Sequence, residues 1–407
     1  EILTLEDCLR IGIDNNLSLE GKRKEIQKSK YGVSENRSKL LPQINAIAGY
    51  NNNFDPPVSV TDGSSYGVPY NITKTLQHSA NAGLEMQMPL FNQTLYTSMS
   101  IAKVMEEISR LSYGKAREDV ILQISKMYYL GQVTAEQIML IKANITRLEE
   151  LRDITQAFFD NGMSMEVDLK RVNINLENLK VQYDNAQAMM KQQLNMLKYI
   201  MDYPAEKEIA LTPVNTDSIT TVALTGLSEN IYELQLSQSQ VQLAERQKKI
   251  ITNGYIPSLS LTGSWRYAAY TDKGYHWFHS GPSNQWFRSY GVGLTLRIPI
   301  FDGLDKTYKI KKAMIDIENK RLAWEDARKN LQTQYLNAVN DLMNNQRNFK
   351  KQKDNYLLAE DVYAVTSDRY REGIASMTEV LQDEMQMSEA QNNYISAHYN
   401  YRVTNLM

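Results

Sequence analysis

Cysteine is nearly absent from this 407-residue sequence. Cys8 stands alone, so no disulfide can form within the chain and no cysteine-based metal site can be built. Phenylalanine and proline are also sparse, 8 and 10, against 25 Tyr and 18 Met. No sign of charge dominates: the formal net charge is −2, which leaves no basic footprint for nucleic acid. No run of about 18 uncharged apolar residues occurs, which excludes an ordinary transmembrane helix. A membrane β-barrel passes that test, because its strands hide apolar surface in alternation. The chain opens at Glu1 without an initiator methionine or a signal-peptide pattern, as a secreted chain stripped of its leader would, or a trimmed one.

Enzyme chemistry finds no foothold either. His78, His276, His279 and His398 are scattered, and the pair in "HWFH" (276–279) has no acidic or cysteine neighbour to complete a metal site. No glycine-rich phosphate loop and no nucleophile elbow appears. The expectation is a protein that is not an enzyme and carries no cofactor or metal, and whose energy comes from partners.

What the sequence does have is strict alternation in short stretches. In "RSYGVGLTLRIPIFDG" (288–303), Tyr290, Val292, Leu294, Leu296, Ile298 and Ile300 alternate with small or polar residues, and Pro-Ile-Phe-Asp-Gly then breaks the pattern. In "ANAGLEMQMPLFN" (80–92), Ala80, Ala82, Leu84, Met86, Met88 and Leu90 do the same before Pro-Leu-Phe-Asn. The chain is a repeat. Pro42 aligns with Pro257, Pro89 with Pro299 and Gly162 with Gly373, at offsets of 215, 210 and 211. The expected division is residues 1–205 and 228–407 as two structural repeats, with 206–227 between them.

Each repeat reads in the same order. A helix (roughly 5–40; 228–253) leads through Pro42 or Pro257 into a strand. A loop (about 55–77; 271–287), a returning strand, a very long helix, a glycine break and a last helix follow. The long segments, 92–160 and 304–371, would each span on the order of 100 Å. Their apolar residues step by threes and fours, as do Met165, Leu169, Val172, Leu176, Leu179, Tyr183, Ala186 and Met190 beyond the first break, and Tyr356, Tyr363 and Tyr370 recur at sevens. That period predicts helix packed on helix as a coiled coil. Residues 203–227, interrupted by Pro204 and Pro213, predict a small irregular region.

The strands allow two readings. One is a soluble sheet on a coiled-coil scaffold that binds a partner, since alternation also fits a half-solvated sheet. The other is a membrane sheet, favoured by strands about 10–13 residues long and by aromatics at the strand ends and in the second loop, Trp265, Tyr267, Tyr270, Tyr275, Trp277, Phe278, Trp286, Phe287 and Tyr290. Four strands cannot close a barrel with a lumen, and an open sheet edge is not tolerated in lipid. The barrel must be shared between chains, and a homotrimer of twelve strands is the simplest closure. Ser260, Thr262, Ser264, Glu85, Gln87 and Thr295 would then face the pore.

The two "P-[LI]-F-[ND]" junctions (89–92, 299–302) and the segments "FFDNGMSMEVDLKRVNINLENLKVQYDNA" (158–186) and "RYREGIASMTEVLQDEMQMSEAQNNYISAHYNY" (369–401) resemble the TolC-like outer-membrane factor family, over essentially the whole chain. The resemblance implies an α+β membrane protein. Its shared transmembrane antiparallel β-barrel, four strands per chain, continues into a long α-helical coiled-coil tunnel in the periplasm. It implies a passive exit duct in the outer membrane of a Gram-negative-type bacterium, part of a tripartite efflux or secretion system. The implied partners are two further copies, outer-membrane lipid, a periplasmic adaptor and an inner-membrane transporter of unknown class.

Particular residues follow. Pro89, Phe91, Pro299, Phe301 and Gly303 mark the strand-to-helix junctions. Gly162 and Gly373 suit a tight reversal that needs positive φ, and Ser376 with Glu379 reads as a capping box. The resemblance implies adaptor docking at Gly162, Met163, Gly373, Ile374 and Ser376. It also implies a gate latch in which the Tyr370 phenol donates to Asp168, although the family's Arg partner is replaced by Ala375. An acidic constriction is implied at Glu379 and, beside Gln382, at Asp383.

Overall fold

The computed structural model describes residues 1–62, 64, 67–213, 230–271 and 286–406. His276, His279, Tyr275, Trp277 and Phe278 of the second loop lie outside the described residues, as do 214–227 of the inter-repeat segment. The chain begins with β1 (Ile2–Leu3), α1 (Leu5–Asn15) and α2 (Leu17–Ser38). The single helix expected over 5–40 is therefore two. Asn16 has a non-helical ψ of 118°, its Oδ1 accepts from Leu19 N–H at 3.1 Å, and its Nδ2 donates to Ile200 O at 2.8 Å. A short side chain that bonds nearby backbone ends one helix and caps the next.

Strands β2 (Gln43–Asn52) and β5 (His78–Phe91) flank a second departure from expectation. The segment expected as loop contains a hairpin of β3 (Val58–Asp62) and β4 (Tyr70–Lys74), with Val60 opposite Ile72. Alternating β-branched residues there outweigh the surrounding glycine and asparagine. Then come α3 (Gln93–Asp160), α4 (Glu166–Met201), β6 (Ala210–Leu211), α5 (Tyr232–Asn253), β7 (Ser258–Thr271), β8 (Trp286–Arg297), α6 (Asp305–Arg371) and α7 (Met377–Thr404). In the inter-repeat segment, β6 pairs in parallel with β1.

The chain forms two compact units. One comprises Ile26–Ser109 and Gln238–Ala323 and holds the antiparallel sheet β2-β5-β7-β8, whose central pair joins a strand from each repeat. Register sorts the side chains by period two. Asn45, Glu85, Ser264 and Gly291 lie in one row, and Gln87, Thr262 and Gly293 in the next, all on the polar face. The other face carries Ala46, Leu84, Trp265 and Tyr290, then Met86 and Val292. Val292 is 80% exposed, and Leu294 and Leu296 beside it are also exposed. The pore-facing set read from sequence therefore shares one face.

The junction motif has a local cause. Its last residue caps a helix: Asn92 Oδ1 accepts from Thr94 N–H at 3.0 Å, and Asp302 Oδ2 from Lys306 N–H at 3.2 Å. The copies differ around it. Pro89 lies inside β5 at a bulge, whereas Pro299 follows the end of β8. Gly303 and Leu304 both have positive φ, 68° and 69°, which turns the chain into α6.

The second unit comprises Glu1–Glu25, Arg110–Ser237 and Trp324–Met407. Its cores are layers of heptad residues. Leu148 and Leu151 of α3, Val172, Leu176 and Leu179 of α4, Tyr363 and Tyr370 of α6 and Val380, Leu381 and Met387 of α7 form one cluster. Phe349, Tyr394 and Tyr401 form another, with the Phe349 and Tyr401 rings stacked 5.3 Å apart. The helix-on-helix packing expected from the seven-residue period is what these layers are.

Candidate functional site

Both helix reversals close in the same way. Gly162 has φ 73° and Gly373 φ 76°, the left-handed region that glycine enters without a Cβ clash. Gly162 N–H donates to Phe159 O at 2.9 Å and Met163 N–H to Phe158 O at 2.8 Å. Gly373 N–H donates to Tyr370 O and Ile374 N–H to Arg369 O, at 2.9 and 2.8 Å. This paired pattern satisfies the last helical carbonyls. Met163 and Ile374, next to the glycines, are 68% and 63% exposed.

The returning helices start differently. Ser376 and Glu379 make the expected capping box: Glu379 N–H donates to Ser376 Oγ at 3.3 Å, and Ser376 N–H to Glu379 Oε2 at 2.8 Å. That backbone bond, with the hydroxyl behind it, holds the Glu379 carboxyl below its usual range. Met165 stands at the matching position of α4 and makes no side-chain cap.

The expected bond between Asp168 and Tyr370 is not made within the chain. Tyr370 is 6% exposed, packs on Phe158 with ring centroids 5.6 Å apart, and donates its hydroxyl to Thr155 Oγ1 at 3.3 Å. Its place in the Tyr356, Tyr363, Tyr370 heptad turns it into the helical core. Asp168 instead accepts from Arg171 Nη1 at 3.3 Å, and the same nitrogen lies 3.3 Å from Thr378 Oγ1. Arg171 thus links α4 to α7, a guanidinium supplied by α4, whereas Ala375 lies in the turn before α7.

A polar set that sequence reasoning missed lies among the core layers. Asn144 and Gln391 exchange hydrogen bonds of 2.6 and 3.3 Å while buried. Arg147 donates to Asn144 Oδ1 and to Glu360 Oε1, the latter at 3.2 Å. Glu384 is 5% exposed and its Oε1 has no partner among the described residues. Burial pushes its carboxyl up, against the pull of Arg147. Asp383, one residue earlier, is half-buried. Glu384, Gln391 and His398 continue the three-four stepping of Met377, Val380 and Met387, so polar residues on an apolar heptad were the available signal.

The sequence model of the family described as outer membrane efflux protein matches residues 11–201 and 227–406, nearly the whole chain. The chain belongs to the outer membrane efflux protein family. It is 21% identical over 385 residues to outer membrane protein TolC of Vibrio cholerae serotype O1, covering 91% of this chain and 81% of that protein. It is 23% identical over 363 residues to the probable efflux pump outer membrane protein TtgC of Pseudomonas putida, covering 84% and 70%. A solved structure of CusC superposes with a TM-score of 0.81 at 16% identity, covering 99% of this chain and 90% of that one.

As a member of this outer-membrane efflux family, the chain supplies four strands to a shared barrel. The apolar face of β8 is exposed within one chain, and the polar residues share the opposite face. Among the described residues no helix is long and apolar enough to cross a membrane. The match to the outer membrane efflux protein model, not the helices, sets the soluble scaffold aside. The family is one of trimeric channels that work with adaptor and pump partners.

Proposed function

We propose that this efflux channel closes at its two helix reversals and that the closed state is held by Arg171, which ties α4 to α7. The Arg171–Thr378 contact, steadied by Asp168, is the observation that carries this reading. A charge-assisted hydrogen bond contributes about 1.5–3 kcal/mol when shielded and less at this exposure. Such a link holds a helix pair in register and yields to a docking partner. Tyr370 keeps α6 on α3 from inside, through Thr155 and Phe158.

The exposed Met163 and Ile374, with Gly162, Gly373 and Ser376, offer a periplasmic adaptor two similar apolar turns to grip. An inner-membrane transporter would then drive solute through the opened duct. Glu379 and Asp383 place acidic groups just past the second turn, where they favour cations over anions.

Single-channel recording in a planar bilayer tests the gate. The wild-type protein is expected to give a small, steady conductance, and Arg171→Ala and Thr378→Val a larger one. Equal conductance in all three would move the latch elsewhere. Failure to insert, by protein that stays dispersed without detergent, would overturn the channel.

A further inference from the structure

Across the polar face of the four strands, the ionisable carboxylates and guanidiniums are Glu85, Arg266 and Arg297. Glu85 and Arg266 are bonded to each other and cancel. Arg297 lies opposite Ser258 at the end of the sheet that leads into α6. It is exposed, and among the described residues no acceptor or carboxylate holds it. In the shared barrel, β8 and β2 are the free edges and meet a neighbouring copy. The polar face of β2 offers Gln43, Asn45, Ile47, Gly49 and Asn51, none of which ionises. Closing the barrel in any register therefore brings no carboxylate from this face to Arg297.

We propose that the three Arg297 side chains of the trimer form a basic ring in the lumen that binds polyanionic solutes, such as phosphate esters and polycarboxylates. The inference rests on the channel reading above. Its sign is opposite to that of the acidic groups at Glu379 and Asp383. The neighbours of Arg297 on this face, Thr295 two residues back and Ser258 opposite, are small and leave the guanidiniums room to reach a passing solute, and Arg pairs with phosphate in a bidentate fork. A ring of like charge in a low-dielectric wall concentrates counter-charged solute.

The test is block of single-channel current by inorganic triphosphate added to the compartment facing the strand loops. Wild-type channels are expected to be blocked, and Arg297→Gln to raise the half-blocking concentration roughly five-fold or more. Arg297→Lys should retain most of the block, since it keeps the charge. Glu85→Gln should lower the half-blocking concentration by freeing Arg266. Channels that conduct normally yet are blocked alike in wild type and Arg297→Gln would overturn the basic ring. Absence of conductance in every variant would overturn the channel reading instead.

Discussion

His398 donates its Nδ1–H to Glu136 Oε2 at 2.9 Å, in a pocket where the imidazole is 1% exposed. The tautomer follows from the other nitrogen, because Arg402 Nε donates to His398 Nε2 at 3.2 Å and Nε2 must therefore accept. Tyr394 adds its hydroxyl to Glu136 Oε1 at 2.7 Å. Burial alone would push the Glu136 carboxyl up, but the bonds from His398 and Tyr394 outweigh it and hold the group below its usual range. A depressed carboxylate contributes stability above its unfolded value of 4.5 and loses it as pH falls through the lower folded value. His398→Ala removes the donor and leaves a cavity beside Phe349. It should cost about 3–5 kcal/mol, read as a lower melting temperature of the detergent-solubilised trimer. A loss no larger than that of a surface alanine would show that the cluster is not structural.

The paired reversals should respond unequally to the same chemistry. Gly162→Ala and Gly373→Ala each place a Cβ at positive φ, where an L-residue costs roughly 1–2 kcal/mol. Open space around both means that strain, not a clash, sets the cost. The α7 turn keeps its capping box while the α4 turn has none to fall back on. Hydrogen exchange should therefore quicken further into α4 after Gly162→Ala than into α7 after Gly373→Ala. Equal spread would mean that the box adds nothing local.

Glu379 serves as a cap and, in the proposed gate, as a charge, and one substitution separates the two. Glutamine completes a capping box as glutamate does. Glu379→Gln should leave amide exchange at 376–380 unchanged but reduce cation preference, seen as a reversal potential shifted toward zero in a salt gradient. Unchanged selectivity would leave Glu379 as a cap alone.

Much of this architecture was legible because two periods carry it. Period two in residues 258–267 and 288–297 set both faces of the sheet, and sevens at Tyr356, Tyr363 and Tyr370 set the helical core. What escaped were places where one side chain outweighs a pattern. Asn16 ends a helix through bonds of its own, and Val58, Val60 and Ile72 make a hairpin inside a stretch that looked like loop. Tyr370 could be placed in sequence but its partner could not, since the same heptad step that finds a tyrosine does not say which neighbour its hydroxyl meets. Glu384 and His398 escaped because burial depends on what packs opposite, which one helix's pattern does not state.

Cys8 offers a direct report on folding. It is fully buried in the layer formed with Leu3, Leu19 and Ile124, and burial, with the charge of Asp7 behind it, pushes its thiol up to about 12. The thiolate is the reactive form, so the folded chain should resist maleimide at pH 7.5. Labelling should appear only in step with denaturant unfolding, followed by intact mass. Rapid labelling of the native trimer would mean that α1 opens readily from its layer.

Glu384 should behave in the opposite sense to Glu136. Its carboxyl is pushed up by burial, so the folded chain holds the proton more tightly than the unfolded chain does. The cost of the buried charge is thus present at neutral pH and is relieved as pH falls through the raised folded value toward 4.5. Arg147 repays little of it, because its guanidinium is already committed to Asn144 and Glu360. Glu384→Gln removes the charge at nearly constant volume and should raise the melting temperature at pH 7.5 by about 2–4 °C. That gain should shrink as pH falls through the raised folded value, where the wild-type carboxyl itself takes up a proton. A gain that stays constant with pH, or a loss at pH 7.5, would mean that Glu384 is better compensated than its unpartnered oxygen implies.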